Sequence, residues 1–388
     1  MVSSPMTRFS LDEPDSDVLV TVVVPVFNTR PELIDRAVVS ALGQTHPALE
    51  LLIVDDGSSA ETAAFLDSVA ESDPRIRVVH RANGGVSAAR NTGVEYALGN
   101  FIAYLDSDDY LEPGFLSAAL TVARTEDADA VFGGIRVLHG FGTAEWRTGG
   151  PSAKEPLIAT RNTIVTACIS ALSDSPSLGQ PTGLLSVTNV VSCLYRADTA
   201  RRHRFPEGVS HAEDRLHNVC VLLDAGRVAF CSDVWYVYDA THDEGATRRA
   251  TPRTITALSQ TIREFAGVGR MLGARRGISD EAHGLIAQAA ADGALNYLKM
   301  LSGVMAAVGQ RRTSREHLSQ LLAEPSIIAA TESVTKSGWQ DQIFASAARH
   351  RQVDLLLLLG WLWVRKGGLQ MSVERPNRSS VGGRNDND

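Results

Sequence analysis

The stretch FIAYLDSDDYLEPGF, residues 101–115, organises the chain, because its apolar run FIAYL passes directly into three acids, Asp106, Asp108 and Asp109. Isolated carboxylates are costly to bury and neighbouring carboxylates repel, so a charged strand end needs a partner. Hard carboxylate oxygens suit magnesium or manganese. The alternative is a turn that leads into a helix beginning near Pro113. Taken alone, this stretch leaves both interpretations open.

Length and composition narrow the class of protein. The 388 residues suffice for two ordinary domains, and 44% hydrophobic with 21% charged residues is a globular composition. A net charge of −8 argues against a nucleic-acid partner, which would need a basic face. The four cysteines show no zinc spacing and indicate buried thiols in a reducing compartment. Because neither a signal region nor a run of about 18 apolar residues is visible, we expect a cytoplasmic protein.

Apolar β-branched runs alternate with helical patterns through the first third of the chain. Strands are predicted at residues 18–28, 50–54, 76–79 and 101–105, with amphipathic helices between them. This order predicts an α/β fold with a mostly parallel sheet and helices on both faces. Ligands of such sheets bind at the carboxyl ends of the strands. Polar residues cluster at three of those ends: Pro25–Asn28, Asp55–Ser58 and Asp106–Asp109.

Two helix starts are predicted from capping boxes. Thr29-x-x-Glu32 precedes the first helix and Ser58-x-x-Glu61 the second. Neither a G-x-G-x-x-G nor a G-x-x-x-x-G-K motif follows the first strand, which disfavours a dinucleotide dehydrogenase and a P-loop enzyme. Phosphates would then be neutralised by the metal at the D-x-D acids.

Four motifs in this order resemble the nucleotide-binding half of glycosyltransferase family 2, which has the GT-A fold. They are VTVVVPVFN (20–28), LLIVDDGSS (51–59), GGVSAARNTG (84–93) and YLDSDDYLEP (104–113). A later segment, HAEDRLHNVCVLLDAG (211–226), resembles the acid pair of the acceptor half. The resemblance covers residues 18–249. It implies a GT-A domain over 17–249, divided into a nucleotide-binding half (17–115) and an acceptor half (116–249).

The resemblance implies a role for each matching residue. The D-x-D acids would hold Mn²⁺ or Mg²⁺, with Asp108 the direct ligand and Asp106 at the metal or the ribose, while Asp109 positions the loop. Asp214 matches the family's catalytic base and Glu213 its neighbour at the acceptor. The implied donor-binding residues are Pro25 and Phe27 at the base, Asp56 at the uracil edge, Asp55 supporting that loop or the ribose, Arg90 and Asn91 beside the ribose and diphosphate, and Asn28, Asp106 and Ser107. His242 and Arg248 are further candidates.

The implied function is metal-dependent, inverting transfer of a sugar from a nucleotide-diphosphate donor, taken to be a UDP-sugar. The acceptor hydroxyl would belong to a sugar, a glycan or a lipid-linked molecule in cell-surface polysaccharide or glycoconjugate synthesis. Two alternatives remain open: a nucleotidyltransferase, and an inactive nucleotide-sugar-binding scaffold. Glu213 and Asp214 have an alternative too, since acids also stabilise a helix N-terminus.

The remaining chain is predicted to be helical from residue 250 to 370 as a C-terminal appendage, with loose tails at 1–16 and 371–388. The appendage would close over the acceptor, form a homo-oligomer surface or contact a membrane. Its apolar stretch, LLLLLGWLWV followed by Arg365 and Lys366, spans residues 355–366. That stretch fits either an interfacial helix at the inner face of the cell membrane or a helix buried in the protein core.

Overall fold

The computed structural model describes residues 17–139, 142–146, 155–173, 187–209, 211–242, 252–272, 279–308, 311–334 and 339–363. The two predicted tails and Arg248 lie outside these described residues. Ten strands join in one sheet. They are β1 (Val20–Val26), β2 (Leu49–Asp55), β3 (Ile76–His80), β4 (Phe101–Tyr104), β5 (Tyr110–Leu111), β6 (Ala130–His139), β7 (Gly142–Trp146), β8 (Leu157–Ile158), β9 (Cys193–Arg196) and β10 (Val228–Asp239).

The first half of the sheet is parallel, in the order β3-β2-β1-β4. Every residue of β1 and β2 is buried, so both faces of these strands are covered. β-Branched and aliphatic side chains fill these strands, as the apolar runs predict. The expected strand–helix alternation is therefore confirmed over the first four strands.

The second half of the sheet is mixed, which differs from the mostly parallel sheet that we predicted. β9 lies antiparallel between β4 and β6, while β6 and β10 pair in parallel. β5 adds an antiparallel pair at the end of β10. In the first half, a helix joins each strand to the next along the chain up to β4, whereas β9 enters the sheet only after a long excursion from β6 through the helix Arg161–Ser173.

The helices of the body lie between these strands. They are α1 (Pro31–Leu42), α2 (Ala60–Ser72), α3 (Val86–Tyr96), α4 (Phe115–Thr125), α5 (Arg161–Ser173), α6 (Ala197–Arg202) and α7 (Glu213–Asp224). Both predicted capping residues are wrong by one position: the N-cap of α1 is Arg30 rather than Thr29, and that of α2 is Ser59 rather than Ser58. The hydroxyls of Thr29 and Ser58 instead bond across strand ends, as shown below.

Six helices follow the sheet: α8 (Pro252–Leu272), α9 (Asp280–Val308), α10 (Arg311–Leu321), α11 (Pro325–Ser333), α12 (Trp339–Arg349) and α13 (Val353–Trp363). Two glycines allow close helix contacts. A Cβ atom on Gly293 of α9 would lie 2.3 Å from the carbonyl oxygen of Leu172, and one on Gly360 of α13 would lie 2.5 Å from the backbone of Gly303. The helices therefore pack directly on the body and on each other.

Helix α13 has two different faces. Leu356 is fully buried, while Leu358, Trp361 and Leu362 are 52%, 39% and 41% exposed. The buried face agrees with the interpretation as a core helix, and contact of the exposed face with a membrane stays a prediction. Among the helices that the structure describes, none is long and apolar enough to cross a membrane.

Candidate functional site

The carboxyl ends of β1, β2 and β4 meet at one edge of the sheet, where hydrogen bonds from short polar side chains connect the segments that follow these strands. Asn28, at a φ of 53°, receives a hydrogen bond on Oδ1 from the Ser59 N–H at 2.8 Å and donates its own N–H to Ser58 Oγ at 3.0 Å. The hydroxyls of Thr29 and Ser107 lie 2.6 Å apart. The polar strand ends therefore converge, as the parallel order predicts.

Asp55, the last residue of β2, is buried and hydrogen-bonded within the protein. Its Oδ1 accepts the Ser58 N–H at 2.9 Å, and its Oδ2 lies 2.8 Å from Nδ1 of His80. Burial opposes ionisation, but the hydrogen bonds from Ser58 and His80 outweigh it and hold the pKa of Asp55 below its usual value. Asp55 supports its loop, one of the two roles expected for it.

Asp56 organises the next loop. Its carboxylate accepts backbone N–H bonds from Gly84 at 3.0 Å and Gly85 at 2.7 Å, and it pairs with Arg81. A direct uracil contact of Asp56 stays a prediction, because the carboxylate is already bound by three groups of the chain. Phe27 presents its ring at the edge with 50% exposure, whereas Pro25 is buried within β1. Phe27 is thus the side chain of this pair that can stack on a base.

The D-x-D acids lie at the same edge with different accessibility. Asp106 is partly exposed, Asp108 is exposed and Ser107 is buried. No group of three or more histidine, cysteine or carboxylate side chains that would hold a metal occurs among the described residues. The two acids still fit a hard divalent ion, because Mg²⁺ commonly binds one or two carboxylates and completes its shell with water and substrate phosphates.

Asp109, the third acid of the D-x-D stretch, connects the loop after β4 to β10 through two hydrogen bonds. Its Oδ2 accepts the Tyr236 hydroxyl at 2.5 Å and its Oδ1 accepts the Asp239 N–H at 2.9 Å. Burial, with a smaller contribution from the charges of Asp106 and Asp108, raises the pKa of Asp109 to about 8. The contacts support the positioning role expected of this acid.

Arg90 joins the two halves of the site. Its guanidinium is only 3% exposed and donates from Nη2 to Asp106 at 2.8 Å and from Nη1 to Asp214 at 2.5 Å, with Glu213 Oε1 at 3.5 Å from Nη1. Burial disfavours the charge, but the three carboxylates outweigh it, so the pKa of Arg90 is raised above its usual value. One arginine therefore separates the D-x-D acid from the acid pair Glu213–Asp214.

The acid pair occupies the first turn of α7, after a strained residue. Ala212 has a φ of 62°, a left-handed conformation that costs a non-glycine residue about 1–2 kcal/mol. Burial and the neighbouring Asp214 raise the pKa of Glu213 to about 7, and burial also raises that of Asp214 although Arg90 opposes it. Helix capping alone would stabilise the ionised acids, so burial dominates here.

Two stacked aromatic rings, Phe205 and His217, pack against Arg90. Its guanidinium lies 5.4 Å from the centre of the Phe205 ring, which stacks on His217 of α7 at 4.0 Å. Asn91 holds Phe205 by accepting its N–H at 2.8 Å and donating to its carbonyl oxygen at 3.0 Å. The amide of Asn91 thus has a packing role, and its donor contact stays a prediction. Burial lowers the pKa of His217 to about 3, so this ring is neutral.

The C-terminal helices reach the acid pair. Thr261 of α8 donates to the carbonyl oxygen of His211 at 3.2 Å, one residue before Ala212. Burial raises the pKa of Tyr297 of α9 to about 12, with Arg215 and Glu213 acting on it as nearby charges. Closure of these helices over the acceptor is one of the three expectations from the sequence and stays a prediction, and nothing in the helical pattern indicates the contact with His211. His242 lies in a short 3-10 turn, Ala240–His242.

Comparison with known proteins gives one consistent family. The model of glycosyl transferase family 2 matches residues 21–172. The uncharacterized glycosyltransferase EpsJ of Bacillus subtilis is 30% identical over 226 residues, 57% of this chain and 60% of EpsJ. Chondroitin synthase of Pasteurella multocida is 40% identical over 102 residues, 26% of this chain and 10% of that protein. The chain thus spans less than two thirds of these relatives.

A crystal structure of residues 1–349 of TarS from S. aureus has a TM-score of 0.62 and 18% identity, covering 90% of this chain and 92% of that one. The likeness confirms the expected GT-A architecture and extends into the C-terminal helices. TarS has also been solved in complex with UDP-GlcNAc, at a TM-score of 0.60.

Proposed function

Since residues 21–172 match the model of glycosyl transferase family 2, we propose that this chain is an inverting, metal-dependent glycosyltransferase. It transfers a sugar from a UDP-sugar to an acceptor hydroxyl. The observation that carries the proposal is the placement of the acid pair Glu213–Asp214 opposite Asp106 across one guanidinium. In this proposal Asp106 lies at the metal-binding end of the site and the acid pair lies at its proton-accepting end.

The residues divide the chemistry between these two ends. Asp106 and Asp108 would hold Mn²⁺ or Mg²⁺, which stabilises the diphosphate leaving group as a Lewis acid. Asp214 takes the proton of the incoming hydroxyl as general base. Phe27 stacks on the nucleotide base and Asp56 holds the loop beside it. Because the base and the leaving group lie on opposite sides of the anomeric carbon, a single displacement inverts its configuration.

The two alternatives have less support. A nucleotidyltransferase would need a basic, glycine-rich loop after β1, where this chain has PVFNTRPE. An inactive scaffold has no use for a carboxylate pair with raised pKa values beside a strained Ala212, a combination typical of catalytic sites. The relation to a chondroitin synthase supports a role in polysaccharide or glycoconjugate synthesis.

The proposal is tested with a panel of nucleotide sugars in the presence of Mn²⁺. We expect one UDP-sugar to raise the melting temperature by mass action and to release UDP slowly by hydrolysis. The anomeric proton of a transfer product, observed by NMR, should show inversion. A donor that binds without UDP release under any acceptor condition would support the scaffold instead, and retention would exclude a single displacement.

The rate should depend on pH near neutrality. Asp214 must be ionised to accept a proton, so activity falls as pH drops through the pKa values of the acid pair. Burial raises both, that of Glu213 to about 7, so we expect the acid limb of kcat/KM near neutral pH. Glu213→Gln removes one charge from the pair and should move the limb down by about one pH unit. An unmoved limb would contradict this assignment, and Asp224→Asn at the far end of α7 is the control.

The acceptor is proposed to be lipid-linked, reached through the outer face of α13. The exposed side chains Leu358, Trp361 and Leu362 lie three and four residues apart on one face, and basic residues follow them in sequence. We expect the wild type to float with phosphatidylglycerol vesicles and the double variant Trp361→Ser with Leu358→Ser to lose this flotation. Val39→Ser, at a more exposed apolar residue of α1, should float like the wild type. Equal flotation of all three proteins would exclude this face.

A further inference from the structure

A polar stripe runs along α1 and past its end: Arg36 and Ser40 lie on the helix, and Gln44 lies two residues beyond Leu42. Each member follows the previous one by four positions, a spacing that places Arg36 and Ser40 on one helix face, with Gln44 next along the chain. That face contacts the chain from Asp108 to Leu116, which follows the D-x-D acids. Apolar residues of α1 such as Ile34 and Ala41 are buried elsewhere in the core, so the stripe is a separate feature of the helix.

Ser40 and Gln44, the last two residues of the stripe, form hydrogen bonds with the backbone that follows the D-x-D acids. Ser40 Oγ accepts the Leu111 N–H at 3.1 Å. Gln44 donates to the carbonyl oxygen of Glu112 at 2.8 Å and accepts the Leu116 N–H at 3.1 Å. These bonds fix the backbone of β5 and of the start of α4, and none of them involves Arg36. The fold of this segment therefore does not depend on Arg36.

Arg36 engages the metal-binding stretch itself. Its Nη2 donates to the backbone carbonyl oxygen of Asp108 at 2.5 Å, its Nη1 donates to Asp239 Oδ2 at 2.5 Å, and its guanidinium lies 5.0 Å from the centre of the Tyr110 ring. Asp239 is also the residue whose N–H binds Asp109. The loop is thus held on one side by Asp109 and on the other by Arg36, both anchored at the end of β10.

We propose that Arg36 is a positioning residue for the metal ion: it fixes the backbone of Asp108 so that the exposed carboxylate is already in place. The inference rests on the proposed function, because it takes Asp108 as a metal ligand. An exposed loop carboxylate that must be ordered on binding loses conformational entropy, and a fixed backbone reduces that loss. Groups that orient metal ligands commonly contribute 10–100-fold to metal affinity.

The test measures Mn²⁺ binding directly, by electron paramagnetic resonance of free Mn²⁺ in the presence of UDP. Arg36→Met keeps the aliphatic stem and removes both hydrogen bonds, and we expect the Kd for Mn²⁺ to rise about 10–100-fold. Arg36→Lys, which retains the charge but lacks the two-pronged donor, should lie between Met and wild type. The Mn²⁺ concentration for half-maximal turnover should rise in parallel, while kcat at saturating Mn²⁺ stays within a few-fold of wild type.

Arg75→Met is the matched control. Arg75 has 38% exposure against 30% for Arg36 and also pairs with an aspartate, Asp73, but at the amino end of β3 away from the site. Asp73 is more exposed than Asp239, at 23% against 4%, so Arg75→Met should lose less stability than the Arg36 variants, and it should leave Mn²⁺ affinity unchanged. Wild-type affinity in folded Arg36→Met and Arg36→Lys would overturn the role of Arg36 alone. A wild type that does not bind Mn²⁺ would overturn the metal site, and this inference with it.

Discussion

Replacement of Asp214 by asparagine is expected to lower kcat by about 10²–10⁴-fold, the usual contribution of a general base. The amide cannot accept the proton of the incoming hydroxyl. It is nearly isosteric with the carboxylate, so its oxygen still accepts a hydrogen bond from Arg90, which in wild type is 2.5 Å long. Donor affinity should change little, because Asp214 lies beyond Arg90 from the D-x-D acids. The separation of kcat from donor binding is what identifies a residue that acts in the transition state.

The measurement is steady-state turnover beside the donor-induced shift in melting temperature. Asp224→Asn, at the other end of α7, changes the same residue type on the same helix and should retain full activity. Glu213→Gln should retain more activity than Asp214→Asn, because Glu213 lies farther from Arg90, at 3.5 Å. A rate of Asp214→Asn within a few-fold of wild type would remove this residue from the mechanism.

Replacement of Arg90 by methionine is expected to lower the free energy of unfolding by about 3–5 kcal/mol, the usual cost of removing one partner from a buried ion pair. The guanidinium is the shared cation of Asp106, Glu213 and Asp214. Without it, three neighbouring carboxylates repel one another. Methionine still covers Phe205, so the loss comes mainly from charge.

This loss should depend on pH with a definite sign. Removal of Arg90 raises the folded-state pKa of Glu213 further above its unfolded value, and in wild type it is already about 7. A carboxylate with a raised folded-state pKa destabilises the fold above that pKa, and this cost disappears as pH falls and the group is protonated. The difference in stability between Arg90→Met and wild type should therefore shrink between pH 8 and pH 5.

Thermal melting across this pH range checks both statements. Arg196→Met is the matched control, since Arg196 also lies over a phenylalanine ring, 5.6 Å from that of Phe101, and pairs with Asp127 and Asp129. Its partners are more exposed, so the variant should lose less stability and show little of this pH dependence. Equal losses in the two variants at every pH would contradict a special role for the Arg90 cluster.

Most of the fold's first half could be predicted from the sequence because its signals are local. The β-branched runs of β1 and β2 indicate strands buried on both faces, and parallel order brings their carboxyl ends together. The capping predictions failed for a non-local reason. Thr29 and Ser58 have the right chemistry for caps, but their hydroxyls bond to residues that follow other strands. The Thr29 hydroxyl bonds to that of Ser107, and the Ser58 hydroxyl accepts the N–H of Asn28. Local patterns cannot rank such competing partners.

The sequence by itself identified the candidate residues for the chemistry: the D-x-D acids, the acid pair in the first turn of α7, and the polar strand ends. Covalent order and hydrophobic period predict the strand ends, and the family resemblance of short motifs, each on one element, implies the roles of the acids. Only the tertiary structure decided how they are coupled. Arg90 is 124 residues from Asp214 and Arg36 is 72 from Asp108, and such pairs form because the sheet brings distant chain segments together. Burial then raises the pKa values of Glu213 and Asp214, a property of the folded surroundings rather than of any motif.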